Sequence, residues 1–251
     1  MAVPEVSGVE PFRIAVPEAE LQGLRARVRA TRWPAWPPVE PWSEGTDPEY
    51  LRELADYWAD GFDWRAREAA LNRFAHYRAR IEGVGLHFIH ERGEGPRPFP
   101  LVITHGWPGS VLEMLRLIPR LTHPSRLGGD PADAFDVVVP SLPGCGFSDP
   151  PAAPGMGPAG VADLWLRLMA MLGYRRFGAQ GGDWGASVAT WLALAAPERI
   201  AGIHLNYLPG SYRPTLEGRR RSPRRSAHSS PRATGGPRPK APTPTCSGPH
   251  R

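Results

Sequence analysis

Gly181-Gly182-Asp183-Trp184-Gly185 is the stretch on which the reading of this chain turns. Phe177 to Gln180, just before it, reads as a short strand, and Trp184 to Ala196 reads as a helix. Small residues two places before and after a central side chain mark a sharp strand-to-helix turn. Such a turn lifts the central side chain above the sheet, and the small flanks let strand and helix approach closely. Here the centre is Asp183. A carboxylate is ionised at neutral pH and attacks an sp³ carbon without help from a base, forming an ester. The residue type therefore selects electrophiles such as epoxides or alkyl halides over acyl transfer. The competing reading of the motif alone is a helix N-cap, where Asp is favoured.

Upstream of this turn, Leu101-Val102-Ile103-Thr104 and Val137-Val138-Val139 are compact β-rich runs bounded by Pro and Gly. They read as buried strands. Leu86 to His90 is a further strand, and Ile200 to Leu205 follows the turn. Helical patterns separate them at Val111 to Leu121 and at Val161 to Leu172, the latter stopped by Gly173. Strands alternating with helices predict a mostly parallel sheet covered on both faces. After the strand at Leu101 to Thr104 stands His105-Gly106-Trp107-Pro108-Gly109, which by itself reads equally as a Pro/Gly turn.

The first 80 residues have a different texture. Leu21, Leu24 and Val28 repeat at helical spacing after Pro17, and Leu51, Leu54 and Trp58 do so after Asp47-Pro48. Asp47 is a predicted N-cap with Pro48 in the first helical position. Asp63 is placed to cap a third helix running through Leu71 and Phe74. Between the first two helices, Trp33-Pro34-Ala35-Trp36-Pro37-Pro38 predicts extended chain packed over a surface.

Composition narrows the function classes. The net charge of +5 suggests a nucleic-acid partner, but nine of the 30 basic residues lie in 218–251, which holds no acid. The 217 residues before that point carry 21 basic and 25 acidic side chains, a net of −4. Residues 218–251 also lack Val, Ile, Leu, Met, Phe, Trp and Tyr, so they are predicted to be disordered. A basic arm for nucleic acid is one reading of that tail. Its lack of aromatic residues favours another: Arg, Pro, Gly, Ala and Ser are what a GC-rich gene yields out of frame. No apolar run reaches the length of a membrane span. Two cysteines, Cys145 and Cys246, in unlike settings give no disulfide framework, and a cytoplasmic location is the default.

The chain resembles the microsomal and juvenile-hormone type of epoxide hydrolase, an α/β-hydrolase. The resemblance rests on Pro11-Phe12-Arg13-Ile14, Arg32-Trp33-Pro34, Tyr57-Trp58, Asp63-Trp64-Arg65 and His87-Phe88-Ile89-His90. It continues through His105-Gly106-Trp107-Pro108-Gly109-Ser110, Pro140-Ser141-Leu142-Pro143-Gly144, Gln180-Gly181-Gly182-Asp183-Trp184-Gly185 and His204-Leu205-Asn206. It covers nearly all of residues 11–217. It departs from the family at Cys145, where an aromatic is usual in Pro-Gly-x-Gly-Phe-Ser.

The resemblance implies a helical N-terminal region over 1–90 and the first part of an α/β-hydrolase core over 91–217, while composition sets apart 218–251 as a disordered, out-of-frame tail. It implies Asp183 as nucleophile, and the backbone N–H groups of Trp107 and Trp184 as the oxyanion hole. The substrates would be a small-molecule epoxide and water, with no cofactor, no metal and no nucleic acid. The reaction would open the epoxide on Asp183, with lid tyrosines donating to its oxygen. A His paired with a carboxylate would then activate water against the ester. After Asp183 the acids are Glu198 and Glu217, the tyrosines Tyr207 and Tyr212, and the histidines His204, His228 and His250. In the family the lid, the base and its acid come later, so none of these is assigned and the chain is read as C-terminally incomplete. A haloalkane dehalogenase-like hydrolase and a non-catalytic vestigial fragment are the alternatives.

Overall fold

A computed structural model describes residues 8–36, 38–151 and 153–207. The expectations about the tail over 218–251, and about Tyr212, Glu217, His228, Cys246 and His250, lie outside the described residues.

Seven strands form one sheet: β1 (Val9–Pro11), β2 (His76–Ile81), β3 (Val84–Glu91), β4 (Phe99–Thr104), β5 (Phe135–Pro140), β6 (Phe177–Gly181) and β7 (Ile200–Leu205). Their spatial order is β1-β2-β3-β5-β4-β6-β7. The first three pairings are antiparallel, and β5, β4, β6 and β7 run parallel. The fold is thus an α/β sheet whose parallel half carries the turn at Asp183. Strand β2 corrects the helical reading of the first 80 residues. It forms a hairpin with β3 through Glu82 and Gly83, both at positive φ (50° and 82°). That is the geometry of a tight two-residue turn, whose twist matches the strands it joins.

Helices flank the sheet on both faces. On one side lie α5 (Pro158–Met171) and α6 (Trp184–Ala195), packed on Leu86, Phe88, Val102 and Val138 around a fully buried Trp165. On the other lies α4 (Ile118–Thr122), with Ile118 against Ile103, Val137 and Val139. Each such side chain contributes about 1.5–3 kcal/mol by leaving water. The helix expected over Val111 to Leu121 is broken into a 3-10 turn, Val111–Met114, and α4. Pro119 lacks an N–H and fits only the first turn of a helix, so a new helix begins there.

The N-terminal helices are α1 (Glu18–Arg29), α2 (Pro48–Asp56) and α3 (Trp64–Leu71). Asp47 caps α2, accepting from the Glu49 and Tyr50 amides, and Asp63 caps α3 through the Ala66 amide. Helix α3 stops short of Phe74 because Asn72 turns away. Its side chain accepts from Ile14 N at 2.9 Å and donates to Ile14 O at 2.8 Å. The apolar face of α2 is not buried, since Leu51 and Leu54 are 41 % and 46 % exposed. In the Pro-rich segment Trp33 is half-buried beneath the Arg52 guanidinium, whereas Trp36 is exposed, so only part of it packs as expected.

Candidate active site

The elbow is built from close approaches that only glycine permits. A Cβ on Gly185 would stand 2.0 Å from Thr104 O, and one on Gly181 would stand 2.1 Å from the Gly185 carbonyl. Strand β6 and helix α6 therefore meet at a turn that holds Asp183 at φ 52°, ψ −123°. A non-glycine residue in that region is strained, and such strain persists only where the surroundings enforce it.

The Asp183 side chain does not cap the second or third amide of its own helix. It reaches instead across to the loop after β4, where its Oδ1 accepts the Trp107 N–H at 2.8 Å. The N-cap reading thus gives way to a bond across 76 residues of chain. The Trp107 amide, followed by that of Trp184, holds the carboxylate below the usual range, so it is ionised at neutral pH. Asp183 is exposed, as are the Trp107 and Trp184 side chains. The structure therefore brings the three sequence-predicted site residues together.

The loop carrying Trp107 is held by His105, which is fully buried. Its Nε2 accepts from Leu142 N at 3.1 Å, so its proton sits on Nδ1 and donates to Gly106 O at 2.8 Å. Burial lowers its pKa, keeping the ring neutral. Its two nitrogens are committed to positioning the loop. Thr104, at the end of β4, accepts from Trp165 Nε1 at 3.0 Å, which ties the same loop to α5.

Behind this loop runs a buried relay that the sequence reading missed. His76 Nε2 donates to Leu71 O at 2.9 Å, which leaves its Nδ1 to accept from His87 Nε2 at 2.9 Å. His87 Nδ1 then accepts from Ser141 Oγ at 2.9 Å. Ser148 Oγ accepts from His87 N and donates to Ser141 O, both at 2.9 Å. The end of α3 is thus linked to the turn after β5, one residue from the Leu142 amide that His105 holds. The signal available in the sequence was weak: two histidines on facing strands of a hairpin that was itself unrecognised.

An apolar cavity of 370 Å³ opens beside the elbow, bounded by Trp107, Trp184, Leu142, Cys145, Met156 and Val161 among others. A larger groove of 510 Å³ lies on the α4 face along β7, and His204 lines that groove. Among the described residues no cluster of His, Cys, Asp and Glu is arranged to hold a metal ion. No helix among them is long and apolar enough to cross a membrane.

The epoxide hydrolase N-terminus family matches residues 9–114, and the alpha/beta hydrolase fold family matches residues 100–249. An epoxide-hydrolase homologue from Stigmatella aurantiaca (strain DW4/3-1) is 51 % identical, over 80 % of this chain and 46 % of its own length. Epoxide hydrolase 1 of Sus scrofa is 35 % identical, over 82 % of this chain and 46 % of its own. The chain thus spans about half the length of the relatives it matches. The crystal structure of juvenile hormone epoxide hydrolase from Bombyx mori is similar at a TM-score of 0.71. It is 36 % identical, over 79 % of this chain and 53 % of that one.

Proposed function

The chain belongs to the epoxide hydrolases of the α/β-hydrolase fold, and we propose that its Asp183 opens an epoxide by forming an alkyl–enzyme ester. The observation that supports this most directly is the ionised carboxylate at the strained turn, bonded to the Trp107 amide. Attack by one carboxylate oxygen on an epoxide carbon forms the C–O ester bond and breaks the C–O bond of the ring. Asp183 is exposed, so the departing oxygen takes a proton from solvent water, releasing hydroxide, and becomes the hydroxyl of the adduct. The other carboxylate oxygen remains as the ester carbonyl, where the Trp107 and Trp184 amides face it. When water adds to that carbonyl, the same amides stabilise the negative charge that develops.

Release of the diol requires a base to activate that water. Among the described residues no histidine is free at the ester. His105 has both nitrogens bound, and His76, His87 and His90 are buried and hydrogen-bonded. His123 bonds its neighbour Thr122, and His204 lines the groove on the α4 face. On this reading Asp183 is alkylated, and since no described histidine is placed to release the ester, little turnover is expected. General-base catalysis is worth roughly 10²–10⁴-fold, so its loss leaves the ester long-lived.

Intact-protein and peptide mass spectrometry after exposure to an epoxide tests this. The expected result is one adduct on the peptide holding Asp183, absent in Asp183→Asn and slow to leave. A folded sample that takes up no adduct overturns the nucleophile assignment. Adducts from alkyl halides but not from epoxides would assign the dehalogenase chemistry instead. Sustained diol formation that Asp183→Asn abolishes would overturn the restriction to one half-reaction.

A further inference from the structure

We infer that Cys145 sets the size of the apolar substituent that an epoxide can carry into the site. This deepens the reading of Asp183 as nucleophile and rests on it.

The cavity of 370 Å³ is bounded on one side by Trp107 and Trp184, the two residues whose amides face the Asp183 carboxylate. Any molecule attacked by Asp183 therefore has this cavity beside its reacting carbon. Its lining is Trp, Leu, Pro, Gly, Met, Val and Cys, with no charged side chain. Such a lining takes an uncharged apolar group, and its volume is that of a small-molecule pocket.

Cys145 stands on the wall formed by the turn after β5. That wall is pinned at several points. Cys145 N donates to Leu142 O at 2.8 Å, Gly144 N to Asp149 O at 2.9 Å and Ser148 N to Cys145 O at 3.1 Å. Leu142 N is held by His105, and Ser141 by His87 and Ser148. Gly144 and Gly146 take φ of +80° and +54°, the left-handed conformation that this turn requires of them. The wall does not recede, and the side chain at position 145 decides how much of the cavity is empty. Burial raises the Cys145 pKa, so at neutral pH it is a thiol and behaves as a small apolar group. An aromatic ring here would project into the space that Cys145 leaves open.

The test uses the full chain in a Cys246→Ser background, which leaves Cys145 as its single thiol. Asp183 alkylation rates are measured with propylene oxide and with 4-tert-butylstyrene oxide, before and after capping Cys145 with a methylthio or a benzylthio group. Cys145→Phe and Cys145→Ser are measured alongside. Groups of graded size should slow the bulky epoxide by about 10-fold or more and the small one by less than about 3-fold, as expected where one methylene in an apolar pocket already discriminates. Cys145→Ser should leave the ratio of the two rates unchanged. The thiol caps are added to folded protein and removed by reductant, so they decide the matter even where Cys145→Phe fails to fold. Equal slowing of both epoxides, or of neither, overturns the inference. Where neither epoxide alkylates the uncapped chain, the nucleophile reading fails. The cavity is then read by whether 4-tert-butylbenzamide shields Cys145 from iodoacetamide, and absence of shielding overturns the inference as well.

Discussion

Strands β3 and β7 are similar as sequence and opposite as structure. Val84-Gly85-Leu86-His87-Phe88-Ile89-His90 is buried at every position. Ile200-Ala201-Gly202-Ile203-His204-Leu205 is buried at none, and Ile203 is 41 % exposed. The difference lies in their neighbours. β3 runs between β2 and β5, and its side chains meet both core clusters. β7 pairs with β6 alone among the described residues, and its α4-side face borders the open 510 Å³ groove. Burial is conferred by what lies on both sides of a strand, so equal hydrophobicity gives unequal stabilisation.

Truncation should show the largest contrast. Phe88→Ala empties a site of 0 % exposure and is expected to cost about 3–5 kcal/mol. Ile203→Ala should cost under about 1 kcal/mol. Urea denaturation of both variants checks this, and equal losses would mean that β7 is covered in solution.

Acid should then act on β3. Burial lowers the His87 pKa from 6.5 to about 3, and that of His90 from 6.5 to about 4. Below pH 6.5 the unfolded chain takes up protons that these folded residues refuse. Their contribution to stability is complete above pH 6.5 and is lost as pH falls toward 3. Denaturation midpoints between pH 7.5 and 4 should fall, and His87→Gln should flatten that slope. An unchanged slope would show that the acid sensitivity lies elsewhere.

The smallest thermodynamic effect is expected at Ile203→Lys, which places a charge on β7. An apolar edge templates pairing with other chains, and a lysine opposes it. Size-exclusion chromatography with light scattering should show the unmodified chain associating as concentration rises, and the variant less so. A monodisperse monomer of the unmodified chain would contradict the picture of an available edge.

Much of the site was legible because it depends on short-range geometry. The spacing Gly181, Asp183, Gly185 records a steric requirement that a Cβ at either glycine would violate. Asp47 and Asp63 were legible as caps because their partners lie two or three residues away. Strand β2 was not recognised, although Glu82-Gly83 between two alternating runs is a hairpin signal. Arg78 and Arg80 alternate with the buried Ala79 and Ile81 at the strand period, but a run this short does not stand out from the helical spacing that precedes it.

The sequence by itself determined the fold family, the turn and the identity of its central carboxylate, because each follows from residues adjacent along the chain. Tertiary structure alone decided the states and surroundings of those residues. Trp107 reaches Asp183 across 76 positions, Leu142 fixes the tautomer of His105 across 37, and Ser141 bonds the His87 ring across 54. It also decided that β3 is interior while β7, among the described residues, is paired on one side only. Proton position, pKa and burial depend on which groups exclude water from one another, and that is settled only when distant segments pack.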